Sequence, residues 1–225
     1  MEWFDHYQLF LFDCDGLLVN TEELHYKAYC QMCAARGFHL DVTFDVYFQQ
    51  ATADSSGPEK LVYGALPELK QQEPHWDVLY KEKTAAYLDI LTREGAPLLP
   101  GVAALLELLA RMKKKRAVVT HSKKAFTSLI STQNPILNSI EHWITREDYE
   151  HPKPAPDGYL HAIKMLAEPG DRVIGFEDSL RGLQALIAAD VTPVFISPFA
   201  ATRAAAHAQG VSVFSSMNDL HKEAM

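Results

Sequence analysis

Three observations on this 225-residue chain predict an α/β fold, a parallel sheet with helices on both faces and a helical insertion after its first strand. Short apolar runs closed by polar or turn residues recur along it. Segments with apolar residues at i, i+3 and i+4 lie between them, and one long stretch carries helical patterns alone.

Leu9-Phe10-Leu11-Phe12 is apolar without alternation and closes on Asp13 and then Gly16. A strand buried on both faces reads this way, so it is expected at the centre of the sheet. From 21 to 94 no strand-like run occurs, only helical patterns broken by Pro58, Pro67 and Pro74. The sheet resumes at Pro97, so residues 1–19 and 96–225 are expected to form the core and 20–95 a helical cap long enough to fold separately. Further strands are expected at 116–120, 172–176, 193–196 and 211–214. Helices are expected at 102–112, with Leu105, Leu106, Leu108 and Leu109 on one stripe, and at 157–166 and 180–189.

Composition limits the partners. At 48% hydrophobic and 22% charged the chain is an ordinary folded one, and its 29 acidic against 21 basic side chains would repel nucleic acid and anionic membranes alike. Three cysteines, Cys14, Cys30 and Cys33, are too few for a disulfide framework and fit a reducing compartment. The first residues lack the basic region of a secretory signal, and no run approaches the ~18 apolar residues of a membrane span. The expectation is a cytoplasmic protein with no nucleic-acid or membrane partner.

In open α/β sheets ligands bind beyond the carboxyl ends of the strands, so the polar residues that follow each apolar run are the ones to collect. They are Asp13 and Asp15, then Thr120, His121 and Ser122, then Glu177 and Asp178, with Lys153 ahead of a helix opened by Pro156. This set suits phosphoryl transfer. A carboxylate fixed at a buried strand end can attack phosphorus and hold it as an aspartyl phosphate. A second carboxylate two residues on can protonate the leaving oxygen and then deprotonate water. Gly16 lets the chain turn, and clustered Asp oxygens select Mg²⁺. An ammonium at Lys153 neutralises nucleophile and phosphate, about 4 kcal/mol at 4 Å and an effective dielectric of 20 before desolvation. The Thr120 hydroxyl can donate to a phosphoryl oxygen.

At these residues the sequence resembles the haloacid dehalogenase superfamily, in its branch of phosphatases and β-phosphoglucomutase-like phosphomutases with a helical cap. The resemblance is carried in order by Phe12-Asp13-Cys14-Asp15-Gly16-Leu17-Leu18-Val19-Asn20-Thr21-Glu22, Val118-Val119-Thr120-His121-Ser122, Lys153-Pro154-Ala155-Pro156-Asp157 and Gly175-Phe176-Glu177-Asp178-Ser179. It implies a Rossmann-like core with Asp13 as nucleophile, Asp15 as acid and base, and Thr120 and Lys153 as the phosphate-holding pair. It further implies Mg²⁺ held by Asp13, Asp178 and the Asp15 backbone carbonyl, with Glu177 a ligand or supporting base. Gly16 and His121, and in the cap His25 and Lys83, are expected around the phosphate or substrate.

The sequence departs from the family pattern at Asn20, Pro152 and Asp190, the last where glycine is frequent. The expected activity is Mg²⁺-dependent hydrolysis of a small phosphorylated metabolite, a sugar phosphate or similar monoester, by a monomer or weak homodimer. A phosphomutase needs a cationic clamp for the distal phosphate, and no arginine occurs between 51 and 82. A phosphoacceptor signalling protein is a further alternative, disfavoured by Asp15 and the insertion. Cys30-x-x-Cys33 falls within a helical pattern and reads as two packed thiols, and His121 reads alternatively as a cap of the following helix.

Overall fold

The computed structural model describes residues 2–53 and 56–224. The chain divides into two compact units, residues 1–20 with 97–225, and residues 21–96.

The first unit is built on a six-stranded sheet of order β3-β2-β1-β4-β5-β6. Its strands are β1 (Leu9–Phe12), β2 (Lys115–Val119), β3 (His142–Ile144), β4 (Val173–Glu177), β5 (Thr192–Ile196) and β6 (Ser212–Phe214). Every pairing is parallel, and β1 is central, with Leu11 opposite Ala117 on one side and Gly175 on the other. Strand β3 is absent from the sequence expectation. Its three residues, His142, Trp143 and Ile144, are too few and too polar to make an apolar run, and only Ile144 is buried.

The second unit is helical, as the 21–94 pattern predicts: α1 (Glu22–Ala35), α2 (Phe44–Ala53), α3 (Gly57–Ala65), α4 (Pro67–Gln72) and α5 (Trp76–Glu94). Pro58 and Pro67 stand in the first turns of α3 and α4, where the missing N–H costs nothing. Helices α1 and α5 pack together, and Leu24, Ala28, Met32, Ala86, Tyr87 and Ile90 on them are buried. Cys30 and Cys33 lie on α1, and burial pushes the Cys33 thiol up to about 12, so the pair behaves as packing.

The helices of the first unit are α6 (Val102–Arg111), α7 (Lys124–Gln133), α8 (Asp157–Leu166), α9 (Leu180–Ala188) and α10 (Ala200–His207). Along α6 Val102, Leu105, Leu106 and Leu109 are buried, whereas Leu108 is only half-buried and sits at the margin of the expected stripe. Neither α7 nor α10 was legible, since the first has few apolar residues and the second is mostly alanine. Asp190 has φ 57°, in the left-handed region where glycine is favoured and aspartate is tolerated.

Alternation along β1 sorts its side chains. Leu9 and Leu11 join Ala117, Val119, Ile144, Tyr159, Ala162 and Leu186 in one cluster. Phe10 and Phe12 stack on Phe176, with ring centroids 6.3 and 4.9 Å apart. At roughly 1.5–3 kcal/mol per fully buried side chain, this two-sided burial holds the end of β1, and so Asp13, in place.

Candidate active site

The polar residues collected from the sequence meet at the carboxyl ends of β1, β2 and β4. Asp13 follows β1 and continues its ladder, its N–H donating to Phe176 O at 3.1 Å. The Lys153 ammonium, buried, donates to Asp13 Oδ1 and Glu177 Oε1, both at 2.6 Å, and to Val119 O at 2.9 Å. Its three protons are thereby assigned to three strand ends, which fixes it against Asp13.

Gly16 has φ 74° and turns the chain back, its N–H donating to Val19 O at 3.0 Å. That N–H is therefore spent on the loop. The turn carries Asp15 to β2, where Oδ2 accepts from Thr120 Oγ1 at 3.1 Å and Ser122 Oγ at 2.7 Å.

His121 does not cap α7, which begins at Lys124 and has no side-chain cap. Its Nε2 instead accepts from the Lys153 backbone N–H at 2.6 Å. Burial, with Lys153, Arg181 and Arg146 nearby, pulls the imidazole down to about 3, so it is neutral and can accept.

Glu177 is fully buried at the end of β4. Besides Lys153, Tyr159 donates to its Oε1 at 2.5 Å, and Ser179 Oγ donates to Oε2 at 3.3 Å. Ser179 also caps α9, accepting from Gly182 N–H at 3.1 Å. A Cβ on Gly182 would stand 1.9 to 2.0 Å from the Glu177 carboxyl group, so only glycine fits there. Tyr159 and Gly182 were not among the expected site residues, and Ser122 was collected at its strand end without a role.

Ligand oxygens of Asp13, Glu177 and Asp178, all three buried, lie within 4.8 Å of one another, an arrangement that suits a cation. Burial pushes Asp13 up to about 8; Lys153 opposes the shift, and Glu177 and Asp15 add to it. For Lys153 burial works against the charge, but Asp13 and Glu177 hold its pKa well above the ordinary value. One ammonium does not balance this many carboxylates, and all-oxygen anionic donors fit a hard divalent ion.

His25 and Lys83 belong to the helical unit. Lys83 Nζ donates to His25 Nδ1 at 2.8 Å and lies 4.9 Å from the Tyr29 ring and 5.3 Å from that of Tyr87, while the His25 ring stacks on Tyr87. Burial and the Lys83 charge press the His25 pKa well below its usual value. The pair packs within that unit.

Comparison with known proteins agrees with this geometry. Residues 7–190 match the family model described as haloacid dehalogenase-like hydrolase. The chain is similar to Protein CbbY of Rhodobacter capsulatus, 30% identical over 201 residues covering 86% of each chain. It is also similar to Fructose-1-phosphate phosphatase YqaB of Escherichia coli K12, 26% identical over 85% of this chain and 97% of that one. The crystal structure of CbbY from Rhodobacter sphaeroides in complex with phosphate superposes with a TM-score of 0.73 at 24% identity, covering 95% of this chain and 96% of that one, and so shares the fold. With the four motifs drawn to one end of the parallel sheet and the family model spanning most of the chain, the protein belongs to the haloacid dehalogenase-like hydrolases, a family of enzymes.

Proposed function

We propose that the protein is a Mg²⁺-dependent phosphatase that hydrolyses a small phosphorylated metabolite, a sugar phosphate or similar monoester, through a phosphoaspartate on Asp13. The observation that carries this reading is the Lys153 ammonium held at 2.6 Å from Asp13 Oδ1, with Asp15 two residues away in contact with Thr120. Asp13 attacks phosphorus and Asp15 supplies the proton to the departing alcohol, then takes one from water. Thr120 and Lys153 hold the phosphate, each turning a proton from its present acceptor to a phosphoryl oxygen, and His121 serves them through the Lys153 backbone. Asp13, Asp178, the Asp15 carbonyl and Glu177 Oε2 would hold the cation; Glu177 Oε1 already takes two hydrogen bonds. The ion supplies positive charge that lets a carboxylate approach a phosphate dianion.

The name of the YqaB relative, a fructose-1-phosphate phosphatase, supports a sugar phosphate as substrate class. The arginines of the helical unit support hydrolysis over isomerisation. Arg36 is bound to Glu82 at 2.5 and 3.0 Å and lies 3.7 Å from Glu73, and Arg93 pairs with Asp89 at 3.0 Å, so neither serves as a ready clamp for a distal phosphate. A cytoplasmic setting is supported by three unpaired thiols; among the described residues no helix is long and apolar enough to cross a membrane.

The test is a phosphate-release screen over sugar phosphates, nucleotides and two-carbon phosphates with Mg²⁺, run beside the same screen in excess chelator. Release from at least one sugar phosphate, lost in chelator, is expected. Full activity in chelator, or isomerisation of a hexose 1-phosphate primed with its bisphosphate outrunning phosphate release, overturns the reading.

A further inference from the structure

We propose that Ser122 is the positioning residue of the Asp15 carboxylate, and that it confines the acid's proton to one of the two oxygens. The proposal rests on the phosphatase reading above and deepens it at the same site. Ser122 Oγ donates to Asp15 Oδ2 at 2.7 Å, and Thr120 Oγ1 donates to the same oxygen at 3.1 Å. The Ser122 backbone N–H donates to Thr120 Oγ1 at 3.0 Å, so the Thr120 hydroxyl has an acceptor side and a donor side already assigned. Asp15 Oδ1 is buried and has no hydrogen-bond partner among the described residues.

When the Thr120 proton turns to a phosphoryl oxygen Ser122 keeps its hold on Oδ2, so Oδ2 stays engaged by a donor and Oδ1 is the oxygen left open. Oδ1 is therefore the oxygen placed to exchange a proton with the substrate. Buried carboxylate oxygens are ordinarily satisfied, and one left bare beside a doubly held one is reserved for a partner that arrives with the substrate. In the first step an Asp13 oxygen bonds to phosphorus, the bond from phosphorus to the ester oxygen breaks, and the proton on Oδ1 passes to that oxygen, releasing the alcohol. In the second, a water oxygen bonds to phosphorus, one water proton passes to Oδ1, and the bond from phosphorus to Asp13 breaks, releasing phosphate. Without Ser122 the carboxyl group can rotate, its oxygens exchange, and proton delivery loses its direction.

A loss of proton delivery depends on the leaving group, whereas general damage to the site does not. The experiment measures kcat/KM, which reads every step up to departure of the alcohol, for wild type, Ser122→Ala, Ser122→Thr and Ser122→Cys with saturating Mg²⁺. Substrates run from 4-nitrophenyl phosphate, whose leaving group departs without a proton, to alkyl sugar phosphates. Ser122→Ala is expected to lower kcat/KM about tenfold or more on alkyl esters and about threefold or less on the aryl ester, with Ser122→Thr restoring most of the alkyl rate. Ser122→Cys, a weaker donor of similar size, should fall between and keeps the comparison available if the alanine variant fails to fold. Equal losses on both ester classes, or none on either, overturn the proposal. A wild-type enzyme that releases phosphate from no ester overturns the phosphatase reading instead, and the proposal with it.

Discussion

At the scale of single residues, the site places one nucleophile candidate under one ammonium and surrounds both with further carboxylates. Exchange of Asp13 for asparagine keeps the shape and the acceptor for Lys153 but removes the attacking anion. We expect Asp13→Asn to lower kcat by about 10³-fold or more, since a covalent route is closed and not merely weakened, with a thermal midpoint within a few degrees of wild type. Phosphate release and a melting curve on one preparation check both parts. The candidates Asp13, Asp15, Thr120, Lys153, Glu177 and Asp178 were legible because each lies just past an apolar run or in a short local motif. Ser122 on Asp15, His121 on the Lys153 backbone and Tyr159 on Glu177 were not, because those pairs are 107, 32 and 18 residues apart and meet only through the packing of separate elements.

At the scale of elements, α9 is the piece most constrained by the site. Its Ser179 cap and Gly182 close over the Glu177 carboxylate, so Gly182→Ala drives a methyl into a buried charged group. It should destabilise the protein by about 1–3 kcal/mol, the usual cost of overpacking, and lower activity as Glu177 shifts Lys153. Gly64→Ala in α3, where an added Cβ meets nothing within 4 Å, should instead stabilise by about 0.5–1 kcal/mol through helix propensity. Urea unfolding of the two variants checks the contrast. The α1–α5 pair makes a second expectation. His25 is held neutral in the folded state and has an ordinary value of 6.5 when unfolded, so the unfolded chain binds the extra proton first. This contribution is complete above about pH 6.5 and is lost as pH falls below it. The thermal midpoint should drop between pH 7.5 and 5.5, and drop less in His25→Gln. An equal drop in both proteins refutes the assignment.

At the scale of the whole molecule, a ligand that binds only the folded state stabilises all of it. If Asp13, Glu177 and Asp178 hold Mg²⁺, the melting midpoint should rise with added Mg²⁺, by about 2.7 kcal/mol of stability at a hundredfold excess over Kd, and Asp178→Asn should flatten that rise. A differential-scanning titration reads this without any substrate. The sequence alone determined the α/β class, the strand at 9–12, the helical stretch after it and the set of candidate site residues, because burial on two faces, helical periodicity and short motifs are local signals. Only the tertiary structure decided the sheet order β3-β2-β1-β4-β5-β6, the existence of β3 and which oxygen of each carboxylate is held. Those features depend on which distant strands lie side by side, and neither hydrogen-bond saturation nor strand order leaves a periodic trace along the chain.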